Sequence, residues 1–154
     1  MKIVADENIP QVKEAFSEFG ETILHAGRSI TNNILKDADA LLVRSITKVN
    51  KELLEGTRIK FVATATIGTD HIDKEYLQEK DICFADAAGC NAYSVAEYVM
   101  CAILHLFSLK NKPLKNKSIG IVGYGNVGTK TAKFAKALGI KTIINDPPLQ
   151  RKTG

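Results

Sequence analysis

Short apolar runs alternate with stretches of helical spacing along most of the 154-residue chain. Lys2–Ala5 (KIVA), Thr22–Leu24, Ala40–Val43 (ALLV), Phe61–Ala65 (FVATA) and Ile82–Ala85 (ICFA) read as strands, because they are short, apolar and bounded by polar or glycine-bearing turns. Between them, Pro10–Phe19 (closed by Gly20), Lys51–Leu54 and Asp70–Glu79 read as helices. Parallel neighbours need a crossover, and crossovers lay helices over the faces of a sheet. The pattern therefore predicts an α/β fold with a parallel sheet covered on both sides.

A long helix is expected next, from Ala92 to Leu109. Asn91 serves as its N-cap, or Ser94 and Glu97 form a capping box one turn later. Val95, Tyr98, Val99, Met100, Ile103, Leu104, Leu106 and Phe107 wrap most of its circumference, so cover on more than one side is expected, as for a helix between two domains. "LKNKPLKNK" reads as a polar linker in which Pro113 bars a regular helix. A strand over Ser118–Val122, a helix over Val127–Leu138 ended by Gly139, and a strand over Lys141–Asn145 follow. The tail "PPLQRKTG" shows no helical or strand pattern. The expected organisation is a domain over 1–90, an interdomain helix over 91–110 and the start of a second domain over 111–154. No internal repeat or low-complexity segment interrupts it.

Charge supports two units. Residues 1–100 carry 11 Lys/Arg and 16 Asp/Glu, whereas residues 101–154 carry 10 Lys/Arg and the single acid Asp146. The basic half lacks interleaved aromatics and any nucleic-acid motif, so its lysines read as a solvated linker and helix face and no nucleic-acid partner is expected. No apolar stretch reaches the ~20 residues that span a bilayer, and the first residues lack a basic-then-apolar signal region. The expectation is a cytoplasmic protein with no membrane partner. Cys83, Cys90 and Cys101 form no CxxC pair or metal-ligand spacing, so they are expected to be buried or half-buried free thiols, with no metal site.

Ligands of an open parallel sheet bind beyond the carboxyl ends of its strands. The residues there are Asp6, Glu7 and Asn8; Arg44 and Ser45; Thr66 to Thr69; and Ala87 to Cys90. Arg44 offers a guanidinium fork, Ser45 and Thr66 offer hydroxyls, and Thr69 or Asp70 would cap a helix whose free N–H groups suit an anion. Such a rim suits a small acidic, hydroxylated molecule. Arg44 alternatively pairs with Asp6 or Glu7, and the two hydroxyls alternatively serve turn backbone. Asp6 and Glu7 read as turn residues and His71 as a surface or packing residue. His105, on an apolar helix, reads as a satisfied core histidine, and no catalytic triad can be placed.

The run "IGIVGYGNVGTK" carries more information. Gly123-x-Gly125-x-x-Gly128 follows one strand and opens a helix, and Asp146 ends the next strand 18 positions after Gly128. Gly123 allows the tight turn, Gly125 the close approach of a pyrophosphate, and Gly128 the close packing of helix on strand. An acid at the second strand end accepts both ribose hydroxyls and repels a 2′-phosphate, so NAD is expected rather than NADP.

At this point the chain resembles the D-2-hydroxyacid dehydrogenases, through "ADALLVRSITKVN", "FVATATIGTDHID", "GCNAYSVAEYV" and "IGIVGYGNVG" in succession. The resemblance spans nearly the whole chain. It implies a flavodoxin-like substrate domain followed by an incomplete Rossmann dinucleotide-binding domain. "TATIGTDHID", "GCNA" and "NDPP" resemble a branch that oxidises a small phosphorylated 2-hydroxy acid, 4-phospho-D-erythronate, with NAD, in pyridoxal phosphate biosynthesis. Carried over by position, Ser45 and Thr66 would contact substrate, Asn126 and Val127 would present backbone to the pyrophosphate within the Gly123, Gly125 and Gly128 loop, and Asp146 would hold the adenosine ribose. The family's catalytic Arg, Glu and His have no counterpart here. The resemblance places them later, so the chain reads as an N-terminal portion with no catalytic residue, inactive alone and exposing an apolar face and a strand edge. Full-length relatives are expected to be homodimers. Other readings are a non-catalytic acid-binding or regulatory module, and one half of a two-chain enzyme.

Overall fold

The computed structural model describes residues 1–153. The chain divides between Ala88 and Gly89 into two compact units. In the first, strands β1 (Lys2–Asp6), β2 (Glu21–His25), β3 (Ala40–Val43), β4 (Phe61–Thr64) and β5 (Cys83–Ala85) form one sheet in the order β2-β1-β3-β4-β5, with every pairing parallel. The helices between them are α1 (Val12–Phe16), α2 (Asn32–Leu35), α3 (Lys51–Leu54) and α4 (Lys74–Glu79).

Side-chain alternation divides the core into two layers. Val4, Leu41, Val43 and Val62 point to one face and pack with Leu35, Leu53, Leu54, Tyr76 and Leu77 from α2, α3 and α4. Ile3, Ala5, Ala40 and Leu42 point to the other, with Val12 and Phe16 from α1. Strand β3 is buried along its whole length, as a central parallel strand should be. Asp39 fixes its start: its carboxylate accepts the Lys2 backbone N–H at 2.7 Å and pairs with Arg58 Nε at 3.2 Å.

The second unit holds α5 (Ala92–Leu109), β6 (Ser118–Val122), α6 (Asn126–Ala137), β7 (Lys141–Asn145) and α7 (Pro147–Thr153). Strands β6 and β7 pair in parallel. Met100 of α5, Ala135 of α6 and Ile140 form the core, with Ile103, Leu114, Ile119 and Phe134 against it. Val122 is 90% exposed and Ile143 59%, so this small sheet does present the expected apolar face to solvent.

The fold class is as the sequence indicates, and the strands lie within two residues of their expected bounds. Several local expectations are corrected. The first helix is only Val12–Phe16, and α2 and a 3-10 turn over Gly27–Ser29 were not foreseen. Helix α4 starts at Lys74 rather than Asp70, with Asp73 as its cap in place of Thr69 or Asp70: Asp73 Oδ1 accepts the Tyr76 N–H at 3.0 Å. The cause is tertiary: Asp70 and His71 lie in a turn closed by the Ile72 N–H on the Thr69 carbonyl at 2.9 Å, and Ile72 then bridges to Val49 in parallel β fashion, which keeps it out of the helix.

The tail is helical over Pro147–Thr153, and its last residue, Gly154, lies outside the described residues. Asp146 Oδ1 accepts the Leu149 N–H at 2.9 Å and Pro147 opens α7, so an acidic cap followed by proline at the first position was the overlooked signal. Asn91 stands at the N-cap of α5 without a side-chain cap bond. Helix α5 buries Ala92, Ala96 and Met100 but leaves Tyr98, Leu106 and Leu109 exposed, and His105 is exposed rather than a core residue. Its 18 residues and mean hydropathy of 1.4 suffice to cross a membrane by length and composition. Cys83, Cys90 and Cys101 are free as expected but exposed, because β5 lies at a sheet edge and Cys101 lies off the packed stripe of α5.

Leu41 has no exposed surface and sits mid-strand in the principal core layer. Leu41→Ala is expected to destabilise the first unit by about 2–5 kcal/mol, read as a lower urea midpoint with an unchanged dependence on urea.

Candidate functional site

All five strands of the first unit run the same way, so their carboxyl ends share one edge. Ser45, Ile46, Lys48, Thr66, Gly68, Asp70 and His71 line a cavity of about 620 Å³ there. Ser45 comes from the segment after β3, and Thr66 and His71 from the one after β4. The Val49–Ile72 bridge fastens these segments together: the Val49 N–H donates to the His71 carbonyl at 2.8 Å, and the Asp73 N–H donates to the Val49 carbonyl at 2.8 Å. Lys48 and His71 flank this bridge and so enter the same cavity.

The hydroxyls form a chain. Thr64, buried at the end of β4, lies 2.8 Å from Thr66 Oγ1 and 3.0 Å from His71 Nε2, and Thr66 donates to the Gly68 carbonyl at 3.2 Å. Burial pushes the His71 imidazole below its ordinary pKa, and the nearby Asp70 carboxylate pulls it less strongly the other way. Thr47, also buried, donates to the Gly27 carbonyl at 2.9 Å and pins the segment after β2 to that after β3.

Asp6 is fully buried. Its Oδ1 accepts the backbone and side-chain N–H groups of Asn8 at 2.9 and 3.1 Å, the turn role expected of it. Arg44 forms no ion pair among the described residues, so the alternative pairing with Asp6 or Glu7 is not made. A Cβ on Gly27 would lie 2.4 Å from Asp6 Oδ2, which restricts that position to glycine.

In the second unit, Gly123 has φ +88°, a conformation that favours glycine, and a Cβ on Gly128 would lie 2.0 Å from the Gly123 carbonyl oxygen. Gly125 has open space where a Cβ would be, so a ligand can approach its backbone. Gly123, Gly125, Asn126, Val127 and Gly128 line a cavity of about 340 Å³ at the N-terminus of α6. Asp146 Oδ2 accepts the Tyr124 N–H at 2.6 Å, and its other oxygen caps α7. These two N–H groups hold its carboxyl below the usual carboxylate range. A carboxylate accepts about four hydrogen bonds, so two acceptor sites remain for ribose hydroxyls. Asp146 also lines a separate cavity of about 530 Å³ with Ile143, Ile144, Asn145, Leu149 and Gln150.

Residues 3–145 match the model of the D-isomer specific 2-hydroxyacid dehydrogenase catalytic domain. The chain belongs to this family. It is 51% identical to the erythronate-4-phosphate dehydrogenase of Shewanella loihica over 98% of the chain and 40% of that protein. It is 46% identical to the erythronate-4-phosphate dehydrogenase of Bacteroides thetaiotaomicron over 100% of the chain and 44% of that protein. The chain thus spans less than half the length of these relatives. Among solved structures, the NAD⁺-bound 3-phosphoglycerate dehydrogenase of Entamoeba histolytica aligns with a TM-score of 0.69 and 29% identity over 96% of this chain and 54% of that one. D-2-hydroxyisocaproate dehydrogenase, at 22% identity, shares the fold with a TM-score of 0.76 over 96% of this chain and 53% of that one.

Within this family chain, Ser45 and Thr66 fall in one cavity, and the glycine-loop residues fall in another. Sequence reasoning missed Lys48 and placed His71 outside the site. The signal for both was the interval from Val49 to Ile72, which reads as strand-like only when the two residues face each other.

Two predictions follow from this electrostatics. Folding holds His71 below its ordinary pKa, so the unfolded chain binds the proton more readily and stability falls as pH drops through the ordinary histidine range. His71→Gln should flatten that part of a stability-against-pH curve. Folding also depresses Asp146, so its contribution is present above the ordinary carboxylate range and is lost as pH falls through its lower folded value. Asp146→Asn should remove that loss from an acid-unfolding profile.

Proposed function

We propose that the chain supplies the acid-binding rim and the first dinucleotide-binding elements of an NAD-dependent dehydrogenase acting on 4-phospho-D-erythronate, within pyridoxal 5′-phosphate biosynthesis. The product would be 2-oxo-3-hydroxy-4-phosphobutanoate. The observation that carries this reading is the joint one: relatives 46–51% identical are named for that substrate, and the chain has a hydroxyl-lined cavity bearing one lysine.

Ser45 and Thr66 would donate to the oxygens of the acid, and Lys48 would offset its charge. In the second unit the backbone of Asn126 and Val127 would meet the pyrophosphate at the start of α6, where unpaired N–H groups favour an anion. Gly125 leaves room for that approach, Gly128 lets α6 sit against Gly123, and Asp146 would accept the ribose hydroxyls. A fixed carboxylate there disfavours a 2′-phosphate, hence NAD over NADP. When bound, NAD supplies the hydride acceptor. The chain's own residues bind and orient, and none is proposed as the base that takes the hydroxyl proton. A cytoplasmic location and a homodimeric full-length protein accord with a small-molecule dehydrogenase.

Binding of 4-phospho-D-erythronate to the chain, followed by amide NMR shifts, tests the rim. Ser45→Ala and Thr66→Val should each weaken it about three- to tenfold, and wild-type affinity in both variants would remove these residues from the site. Incubated alone with NAD and this acid, the 154-residue chain should form no NADH; measurable turnover would show that it carries its own catalytic base.

A further inference from the structure

The hydrogen-bond chain behind the rim has a direction that proton counting fixes. Each threonine hydroxyl has one proton to give. Thr66 spends its proton on the Gly68 carbonyl, which can only accept. The 2.8 Å contact between Thr64 and Thr66 must then be donated by Thr64. With that proton spent, the 3.0 Å contact between Thr64 and His71 must be donated by the imidazole, so Nε2 carries the hydrogen. The opposite tautomer would reverse both threonines. Thr66 would give its proton to Thr64, leaving none for Gly68 or for a ligand.

We infer that His71, acting through Thr64, fixes the Thr66 hydroxyl as a proton donor to the cavity, and that this prepares the cavity for an oxyanion. The inference rests on the acid-binding reading of this rim and adds a positioning residue to it. The arrangement is built into the fold. Thr64 is 3% exposed, and the His71 backbone is held by the Val49 N–H beside it, which places the ring within reach of the Thr64 hydroxyl. A bound oxyanion needs only to draw the Thr66 proton away from Gly68, and nothing upstream has to turn. Protonation of His71 leaves Nε2–H in place, so the sense of the chain survives acidification. The charged groups sharing the cavity with the ring are Asp70 and Lys48. Lys48 makes no ion pair among the described residues, so its ammonium is available to the same anion.

The test has two arms. Imidazole ¹⁵N shifts of the ligand-free 154-residue chain near neutral pH should report the Nε2–H tautomer for His71. An Nδ1–H tautomer overturns the inference, whatever binds in the cavity. The second arm measures binding of 4-phospho-D-erythronate, with inorganic phosphate as a second probe, to Thr64→Val, Thr64→Ser and His71→Phe, each checked for an intact amide spectrum. Thr64→Val and His71→Phe should each weaken binding about three- to tenfold. Thr64→Ser should bind as wild type, and the losses in a Thr64→Val/His71→Phe double variant should not add. Wild-type binding by Thr64→Val, or failure of Thr64→Ser to restore it, overturns the inference. If Ser45→Ala and Thr66→Val also leave binding unchanged, the acid-binding reading fails with it; if those two lose affinity while Thr64→Val does not, only the positioning role fails.

Discussion

Parallel pairing is the constraint on which the first unit depends. Two parallel strands cannot be joined by a tight turn, so each of β1 to β4 is followed by a crossover to the next strand, and every strand delivers its carboxyl end to the same edge. Sequence-distant polar residues are thereby gathered without any loop having to travel far. The crossovers also supply the helices that bury both faces, which is why β3 can be apolar along its full length. The interior dictates the strand positions, and the strand positions dictate which side chains stand at the rim.

A single isolated bridge then refines this edge. Val49 and Ile72 are both buried, and their pairing keeps Ile72 in a β-bridge when helical spacing alone would have wound it into α4. The cost is a shorter helix, with Asp73 as its cap. In return, His71 is held where its ring reaches the buried Thr64 hydroxyl, and Lys48 stands on the facing segment. A polar chain of three side chains at the end of a core strand must satisfy its own protons, and that requirement gives the Thr66 hydroxyl its sense.

The glycine loop of the second unit works by exclusion. The carbonyl of Gly123 occupies the place a Cβ on Gly128 would take, so α6 begins as close to β6 as two backbones allow. Asp146 does two jobs with one carboxylate, receiving an N–H from this loop and capping α7. The exposed Val122 and Ile143 show that β6 and β7 alone do not bury their apolar surface.

Periodicity and composition determined the parallel α/β class, the order of the strands along the chain and the glycine loop. These depend on local steric rules and on which residues cannot face water. The acid and proline of "DPP" carried a local signal for α7 that the linear reading passed over, because no repeating apolar pattern accompanied it. The lateral order β2-β1-β3-β4-β5, the bridge that shortens α4, the exposure of Cys83, Cys90, Cys101 and His105, and the pairing of His71 with Thr64 were decided by tertiary structure. Each depends on what lies across from a residue rather than beside it in sequence. A histidine seven positions after a threonine is unremarkable in a linear reading, and becomes a hydrogen-bond donor only when Val49 holds its backbone in place.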